Sequence, residues 1–308
     1  MNRVSTNFEQ HIILDRAGES LLVSDAPFIA PELFALSELR VEYDADTKAL
    51  WTSMNPSGRP SFTPSMLHDF ERWQDLIEAS FEADDLHFLV LGSLSPGVFC
   101  YGGDLALFRE LIIAGDRDAL VDYGHRCCRI LHRNIETLGL PLVTIGMVQG
   151  DALGGGLEAL LSFDFIIAEE SATFGLPEIL FGLFPGMGAH AFLSRQLGSV
   201  AAERLVMSGK TLSARAMLDL GLIHEIVPDG EGEAGVQRFI EKNARRHAGL
   251  VGSRRATKRT WNLSLRELTD ITEIWAETAL QLTERDLKLM ARLADKQRRT
   301  ALRSVEPA

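Results

Sequence analysis

The most informative stretch of the chain is residues 142–158, which read LVTIGMVQGDALGGGLE. The stretch opens with a continuous apolar run, turns at several glycines, and ends in an apolar segment that carries one glutamate. A short, uniformly apolar run is typical of a strand buried on both faces, as in a parallel sheet. The glycine triplet predicts the start of a helix, whose free N–H groups and positive dipole end would point beyond the strand.

Similar runs occur on both sides of this stretch. Phe88–Leu91 is an apolar run that leads into a glycine-rich loop at 96–103, and Phe165–Ala168 is a third such run. Helical patterns at Leu105–Ile113 and Asp118–Leu138 lie between the first two runs. Strands that alternate with helices at this spacing predict an α/β fold built from βαβ units.

The remaining segments are less regular. The pattern predicts edge strands in His11–Leu14 and Ser20–Val23, a hairpin of Leu39–Tyr43 and Ala49–Met54, a helix capped by Thr63 with Pro64 in its first turn, a late strand in Ile223–Val227, and an amphipathic helix or helix pair in Leu265–Arg299. We predict a core with an N-terminal extension over residues 1–230 and a helical region over 231–308.

Composition excludes several classes of protein. With 308 residues, 46% of them hydrophobic and 24% charged, the chain can bury the core of a large domain and is not a disordered or collagen-like protein. A net charge of −12 argues against a dedicated nucleic-acid binder. Three cysteines, the absence of a signal-peptide pattern and the lack of a long apolar stretch predict a cytoplasmic protein without membrane insertion.

Two glycine turns and two glutamates are the candidate chemical groups. Backbone amides at Gly102-Gly103 and Gly154–Gly156 could converge as an oxyanion hole for a thioester carbonyl, although such turns can also lack any chemical role. Glu158 and Glu178 lie among apolar residues, where desolvation would raise their pKa values. Paired carboxylates beside an oxyanion hole suit proton abstraction next to a carbonyl, whereas each glutamate alone could simply favour a helix N-terminus.

Three motifs together resemble the crotonase (enoyl-CoA hydratase/isomerase) superfamily. They are FCYGGDL at 99–105, QGDALGGGLE at 149–158 and FGLPE at 174–178, with the two glutamates 20 positions apart. The segments FPGMG at 184–188 and MSGKTLSA at 207–214 fit the same family, and the resemblance covers roughly residues 40–260. It implies an α/β fold with a crotonase-type β/α spiral core and a helical C-terminal region, assembled as a homotrimer or hexamer.

The resemblance also implies roles for individual residues. The oxyanion amides of the family fall on Gly103 and Gly155, and its two catalytic glutamates fall on Glu158 and Glu178. By the family's division of labour, Glu178 removes the α proton and Glu158 protonates the departing 3-hydroxyl. The presence of both glutamates points to hydration or dehydration chemistry.

Within the superfamily, LWTSMNPSGRPSFT at 50–63 and VFCYGGD at 98–104 are similar to bacterial diffusible signal factor synthases. Those enzymes dehydrate a 3-hydroxyacyl chain on acyl carrier protein to the cis-2-enoyl thioester and then hydrolyse it, which releases a cis-2-unsaturated fatty acid used in quorum sensing. The implied partner is acyl carrier protein, with no cofactor other than the carrier's phosphopantetheine and no metal.

Two other functions stay open. One is an enoyl-CoA hydratase or isomerase of fatty-acid β-oxidation, which would use CoA thioesters. The other is a non-catalytic crotonase-fold partner of a sensor histidine kinase, against which the intact glutamate pair argues.

A basic segment and several isolated residues complete the candidates. Residues 242–260 hold seven Lys and Arg and no acid, and Arg254, Arg255, Lys258 and Arg259 could dock a phosphopantetheine phosphate or the acidic carrier, or could form a solvated helix face. We interpret Cys100 as a buried thiol rather than a nucleophile. The trio His125, Cys128 and His132 lacks an acidic ligand and is not expected to bind a metal.

Overall fold

The computed structural model of the chain describes residues 3–4, 13–14, 20–21 and 27–303. The strands in these ranges are β1 (Arg3–Val4), β2 (Ile13–Leu14), β3 (Ser20–Leu21), β4 (Leu39–Asp44), β5 (Ala49–Met54), β6 (Phe88–Ser93), β7 (Val98–Cys100), β8 (Val143–Val148), β9 (Asp151–Leu153), β10 (Phe165–Glu169), β11 (Thr173–Gly175), β12 (Thr211–Ser213) and β13 (Glu225–Val227). The helices are α1 (Pro64–Ser80), α2 (Leu105–Ala114), α3 (Arg117–Ile135), α4 (Gly155–Leu160), α5 (Ala189–Leu197), α6 (Ser199–Ser208), α7 (Ala214–Asp219), α8 (Gly232–Asn243), α9 (His247–Trp261), α10 (Leu265–Ala279) and α11 (Glu284–Arg303), with short 3-10 turns between some of them.

Two sheets form the core of the described structure. The larger sheet has the order β1-β4-β5-β6-β8-β10-β13, and its strands from β5 to β13 are parallel. The smaller sheet has the order β12-β11-β9-β7, with β7, β9 and β11 parallel. Each of β6, β8 and β10 is followed in the chain by a short strand of the smaller sheet. The α/β fold with parallel sheets and a helical C-terminal region is therefore confirmed.

Local sequence explains why the first long helix forms where it does. Thr63 accepts a hydrogen bond from the Met66 amide, and Pro64 occupies the first turn, where its missing N–H costs no hydrogen bond. The apolar stripe of α1 is buried, and Trp73 on that stripe donates a 3.0 Å hydrogen bond to Thr52 of β5. The predicted capped helix and the predicted hairpin of β4 and β5 are both confirmed.

Some predicted segments differ in detail. The glycine-rich segment 96–103, predicted as a loop, contains β7. The helix predicted to reach Leu138 ends at Ile135, because Thr137 and Leu138 adopt left-handed conformations with φ of 51° and 53°. Ile13–Leu14 and Ser20–Leu21 are strands as predicted, and they form an antiparallel pair that was not predicted, while residues 11–12 and 22–23 of those runs lie outside the described residues.

The C-terminal segment forms a pair of helices, α10 and α11, rather than one continuous helix. Ser264 caps α10 by accepting a hydrogen bond from the Glu267 amide, and Thr272 and Trp275 lie on its buried face. Within the described ranges, no helix combines the length and the apolar character needed to cross a bilayer. The division of the chain at residue 230 stays a prediction.

Candidate active site

The smaller sheet brings three turns to the same place. Strands β7, β9 and β11 are parallel neighbours, and their carboxyl ends lead to Gly102-Gly103, to Gly154–Gly156 and to Glu178 respectively. Carboxyl ends of parallel strands lie at one edge of a sheet, which is where open α/β folds bind ligands. Groups that are far apart in the sequence therefore meet at this edge.

The two glycine turns touch each other directly. Gly102 has a φ of +84°, and a Cβ at this position would overlap the amide nitrogen of Gly155, so only glycine permits the contact. A Cβ built on Gly155 would lie 3.4 Å from the Gly103 amide nitrogen, which places the two turns side by side. Within the described chain, the amides of Gly103 and Gly155 donate to no protein acceptor. Both are free to bind an oxygen atom of a ligand.

Glu158 is held in one orientation by backbone amides. It lies in the first turn of α4 and is only 2% exposed. Its Oε1 atom accepts hydrogen bonds from the Met187 amide at 2.8 Å and the Ala189 amide at 3.0 Å. Burial raises the pKa of Glu158 to about 7, while the amide hydrogen bonds oppose the rise because they stabilise the carboxylate.

Glu178 has a different environment. It begins a 3-10 turn after Pro177, and its Oε2 atom is buried without a hydrogen-bond partner in the described structure. Burial, together with the negative charge of nearby Glu158, raises the pKa of Glu178 to about 8. A Cβ on Gly154, whose φ is +54°, would lie 2.6 Å from Glu178 Oε1, so this turn leaves room for the carboxyl group.

The protonation of each of these two carboxyl groups depends on the charge of the other. Because Glu158 accepts two backbone hydrogen bonds and Glu178 Oε2 accepts none, the ionised form is favoured at Glu158 and the protonated form at Glu178. Such a pair can hold one proton near neutral pH, which is a requirement for acid–base catalysis by two carboxyl groups.

All four predicted residues line one cavity of about 380 Å³, namely Gly103, Gly155, Glu158 and Glu178. The rest of its wall is mainly apolar and includes Phe108, Trp275 of α10 and Leu293 of α11. The cavity thus combines paired carboxyl groups, free amides and an apolar wall, which suits an acyl thioester.

The basic residues lie elsewhere. Arg254 and Lys258 bind the fully buried Asp164, with Nε–Oδ1 and Nζ–Oδ1 distances of 3.1 and 2.8 Å. Arg255 and Arg259 are exposed. All four line a separate groove of about 920 Å³ that shares no lining residue with the glutamate cavity. Two of the four predicted docking residues are therefore engaged in an internal ion pair.

The cysteines and the histidine for which no chemical role was predicted are buried or have structural partners. Burial raises the pKa of Cys100 to about 12, so its thiol is not ionised at neutral pH. Cys128 Sγ lies 3.1 Å from Thr272 Oγ1, and His125 faces Glu273 at 3.6 Å. In the part of the chain that the structure describes, no group of three or more His, Cys, Asp or Glu could hold a metal ion.

Several groups that shape the candidate active site were not predicted from the sequence. The amides of Met187 and Ala189 are backbone donors, which no side-chain motif reveals. Asp104 caps α2 directly after Gly103 and receives a 2.6 Å hydrogen bond from Arg59. The signal that could have identified Asp104 is its position as a capping residue between a glycine turn and an apolar helix.

Comparisons with known proteins agree with this geometry. Residues 55–256 match the family model described as enoyl-CoA hydratase/isomerase. The chain is 28% identical over 226 residues to the probable enoyl-CoA hydratase 2, mitochondrial, of Arabidopsis thaliana. The matched region covers 73% of this chain and 72% of that protein. It is 35% identical over 160 residues to the enoyl-CoA hydratase domain-containing protein 2, mitochondrial, of Mus musculus, covering 52% of each.

Solved structures show similar folds. DspI from Pseudomonas aeruginosa superposes with a TM-score of 0.62 at 25% identity, covering 75% of this chain and 93% of that one. An enoyl-CoA hydratase from Bacillus anthracis gives a TM-score of 0.64 at 24% identity, covering 85% and 98%, a likeness of fold alone.

Proposed function

Because this chain belongs to the enoyl-CoA hydratase/isomerase family of the crotonase superfamily, we propose that it acts on an acyl thioester as a diffusible signal factor synthase. In this proposal it dehydrates a 3-hydroxyacyl group on acyl carrier protein and then hydrolyses the thioester to a free cis-2-unsaturated fatty acid. The observation that carries the chemistry is the pair Glu158 and Glu178 in one cavity with the free amides of Gly103 and Gly155. The resemblance of residues 50–63 and 98–104 to such synthases supports the finer assignment.

The dehydration step uses both carboxyl groups. The amides of Gly103 and Gly155 hold the thioester oxygen as enolate charge develops on it. Glu178 takes the α proton, the C3–O bond breaks, and Glu158 gives its proton to the departing hydroxyl, which leaves as water while the C2=C3 double bond forms. One proton enters the pair and one leaves it, so the pair ends the step with the charge it started with.

Dehydration and hydration start from opposite distributions of the shared proton. Dehydration starts with Glu178 ionised and Glu158 protonated, whereas the ligand-free pair favours the opposite arrangement. Binding of a 3-hydroxyacyl thioester must therefore move the proton to Glu158 before the α proton is removed. Hydration, the reverse reaction, starts from the arrangement that the ligand-free pair already favours.

The hydrolysis step needs a water molecule at the same polarised carbonyl. One of the two glutamates removes a proton from this water, the water oxygen bonds to the thioester carbon, and the C–S bond breaks as the same glutamate returns the proton to the leaving sulfur. The products are the free acid and the carrier's phosphopantetheine thiol. The same two amides stabilise the oxyanion in this step.

The carrier docks, in this proposal, at the basic groove. Arg255 and Arg259 are the candidates for contacting an acidic carrier, because Arg254 and Lys258 are already bound to Asp164.

A product assay tests the proposed function. Purified protein is incubated with 3-hydroxydodecanoyl-acyl carrier protein, and free cis-2-dodecenoic acid is measured by mass spectrometry. We expect Glu158→Gln and Glu178→Gln each to lower turnover by about 10²–10⁴-fold, the usual contribution of a general acid or base. Glu170→Gln is the matched control, because Glu170 is exposed and lines none of the described cavities.

The two remaining results of this assay would each support one of the alternative functions. Hydration of a trans-2-enoyl-CoA without release of free acid would contradict the synthase proposal and support a β-oxidation hydratase. Absence of turnover with both substrates would contradict catalysis and support a binding role.

A further inference from the structure

A second, smaller cavity lies behind the glutamate cavity. It has a volume of about 30 Å³ and lies between α1, α3 and the segment that follows α4. Its wall is almost wholly apolar and includes Phe70 and Trp73 of α1 and Ile130 and Leu131 of α3. We call it the rear cavity.

The same elements pass along both cavities. Helix α3 contributes Gly124 to the glutamate cavity and Cys127, about one turn later, to the rear cavity. Helix α4 contributes Glu158 to the first and its neighbour Ala159 to the second. Among the described residues, Met187 is the single side chain that lines both. The two spaces are therefore adjacent and are separated at Met187.

Met187 is suited to a movable partition. Its Sδ atom lies against the turn of the free amides, since a Cβ built on Gly155 would be only 2.8 Å from it. The residue is 8% exposed, and its side chain is unbranched with three rotatable bonds, so it can adopt another rotamer without moving the backbone. Its amide, which binds Glu158, would stay in place during such a change.

We propose that the rear cavity receives the distal methylenes of the substrate's acyl chain, and that rotation of the Met187 side chain admits them. The chemical class of the ligand rests on the proposed function, which places an acyl thioester in the glutamate cavity. An acyl chain that passes Met187 enters an apolar space whose described lining holds no charged residue. The rear cavity thereby sets the longest chain that binds well.

Water is the rival occupant. The amide nitrogens of Gln74 and Asn134 are hydrogen-bonded to Ile130 O and to Ser162, but their amide oxygens have no partner in the described structure. A water molecule bridging these two oxygens would also fit a cavity of this size. The test must therefore distinguish a chain end from a fixed water.

The experiment measures dissociation constants of saturated fatty acids of eight to sixteen carbons by calorimetry. Each methylene that is newly buried should tighten binding by about fourfold, until the available space is filled. Met187→Ala should extend this gain to longer chains, and Ile130→Phe, which places a larger side chain on the wall of the rear cavity, should end it at shorter chains. Val121→Phe is the matched control, because Val121 is a half-buried aliphatic residue of α3 that lines neither cavity.

The double variant Met187→Ala/Ile130→Phe tests whether the chain end lies in the rear cavity. If the rear cavity holds the chain end, Ile130→Phe abolishes the gain caused by Met187→Ala. If that gain survives, the chain uses only the enlarged glutamate cavity and the inference is wrong. An unchanged chain-length profile in Ile130→Phe would indicate a fixed water and would also overturn it. If the variants show the expected binding pattern but the protein does not turn over 3-hydroxyacyl-acyl carrier protein, the rear cavity is supported and the proposed synthase function is wrong.

Discussion

The Glu178 carboxyl group has an environment that stabilises its neutral form. Its Oε2 atom is buried without a partner, and the charge of Glu158 lies nearby. The pKa of Glu178 in the folded protein, about 8, is above its ordinary value of 4.5, so the folded protein holds this proton to higher pH than the unfolded chain does. Stability must then fall as the pH rises between these two values, because over this range the folded protein binds a proton that the unfolded chain has already lost.

We expect this fall to be visible in thermal unfolding. The melting temperature of the wild type should decrease as the pH is raised from 5 to 9, and Glu178→Gln should decrease less, because its amide cannot ionise. Scanning calorimetry at several pH values measures both. Glu170→Gln should follow the wild type; equal slopes for the wild type and Glu178→Gln would show that Glu178 is not buried as a neutral acid.

Residue identity was easier to predict from the sequence than residue orientation. Glu158 and Glu178 could be singled out because a glutamate among apolar residues is costly unless it is neutral or bonded. The groups that distinguish the two, the amides of Met187 and Ala189, belong to the later segment that leads into α5 and carry no signal of their own. Which glutamate keeps the proton therefore required the tertiary structure.

At the scale of elements, the capping of α2 is linked to the site. Asp104 accepts hydrogen bonds from the amides of Ala106 and Leu107, and it follows Gly103 directly. Arg59 holds the same carboxylate oxygen at 2.6 Å, in a partly buried ion pair. The cap therefore fixes the start of the helix and holds in place the residue that directly follows Gly103.

Two capping aspartates allow a matched comparison. Asp104→Ala and Asp116→Ala each remove a helix N-cap and should lower the free energy of unfolding by about 1 kcal/mol. Only Asp104→Ala should also reduce turnover, by up to about 100-fold, because a small displacement of an oxyanion donor is costly. Urea unfolding and the product assay measure the two effects. An equal loss of turnover in both variants would contradict a positioning role for Asp104.

Element length explains which strands were predicted. The runs that became β6, β8 and β10 were identified because each is a short, mostly apolar stretch, such as FLVL at 88–91 and FIIA at 165–168. β7, β9 and β11 have three residues each, which is too short for any periodicity to be visible. The sheet that brings the proposed catalytic groups together was thus the part of the fold that the sequence pattern did not reveal.

At the scale of the whole molecule, charge is unevenly distributed. The chain carries a net charge of −12, yet Arg255 and Arg259 are exposed beside the ion pair of Arg254 and Lys258 with Asp164. An acidic carrier would be repelled by most of the surface and attracted at this groove. Such local attraction weakens as salt screens it.

Charge reversal tests this docking. The double variant Arg255→Glu/Arg259→Glu should raise KM for acyl-carrier-protein substrates several-fold at low salt, with a smaller effect at high salt. KM for the same acyl group on free pantetheine should not change, and Arg40→Glu, at an exposed arginine of β4, is the control. A rise for both substrates would instead indicate a general disturbance of α9.

The contact between Gly102 and Gly155 also bears on how the enzyme becomes active during folding. Its two turns belong to different βα units, and Glu178 belongs to a third. Closing such long loops is entropically costly and slow compared with forming local helices. A refolding chain can therefore regain most of its helical signal before the three turns meet, and only the completed association makes it a catalyst.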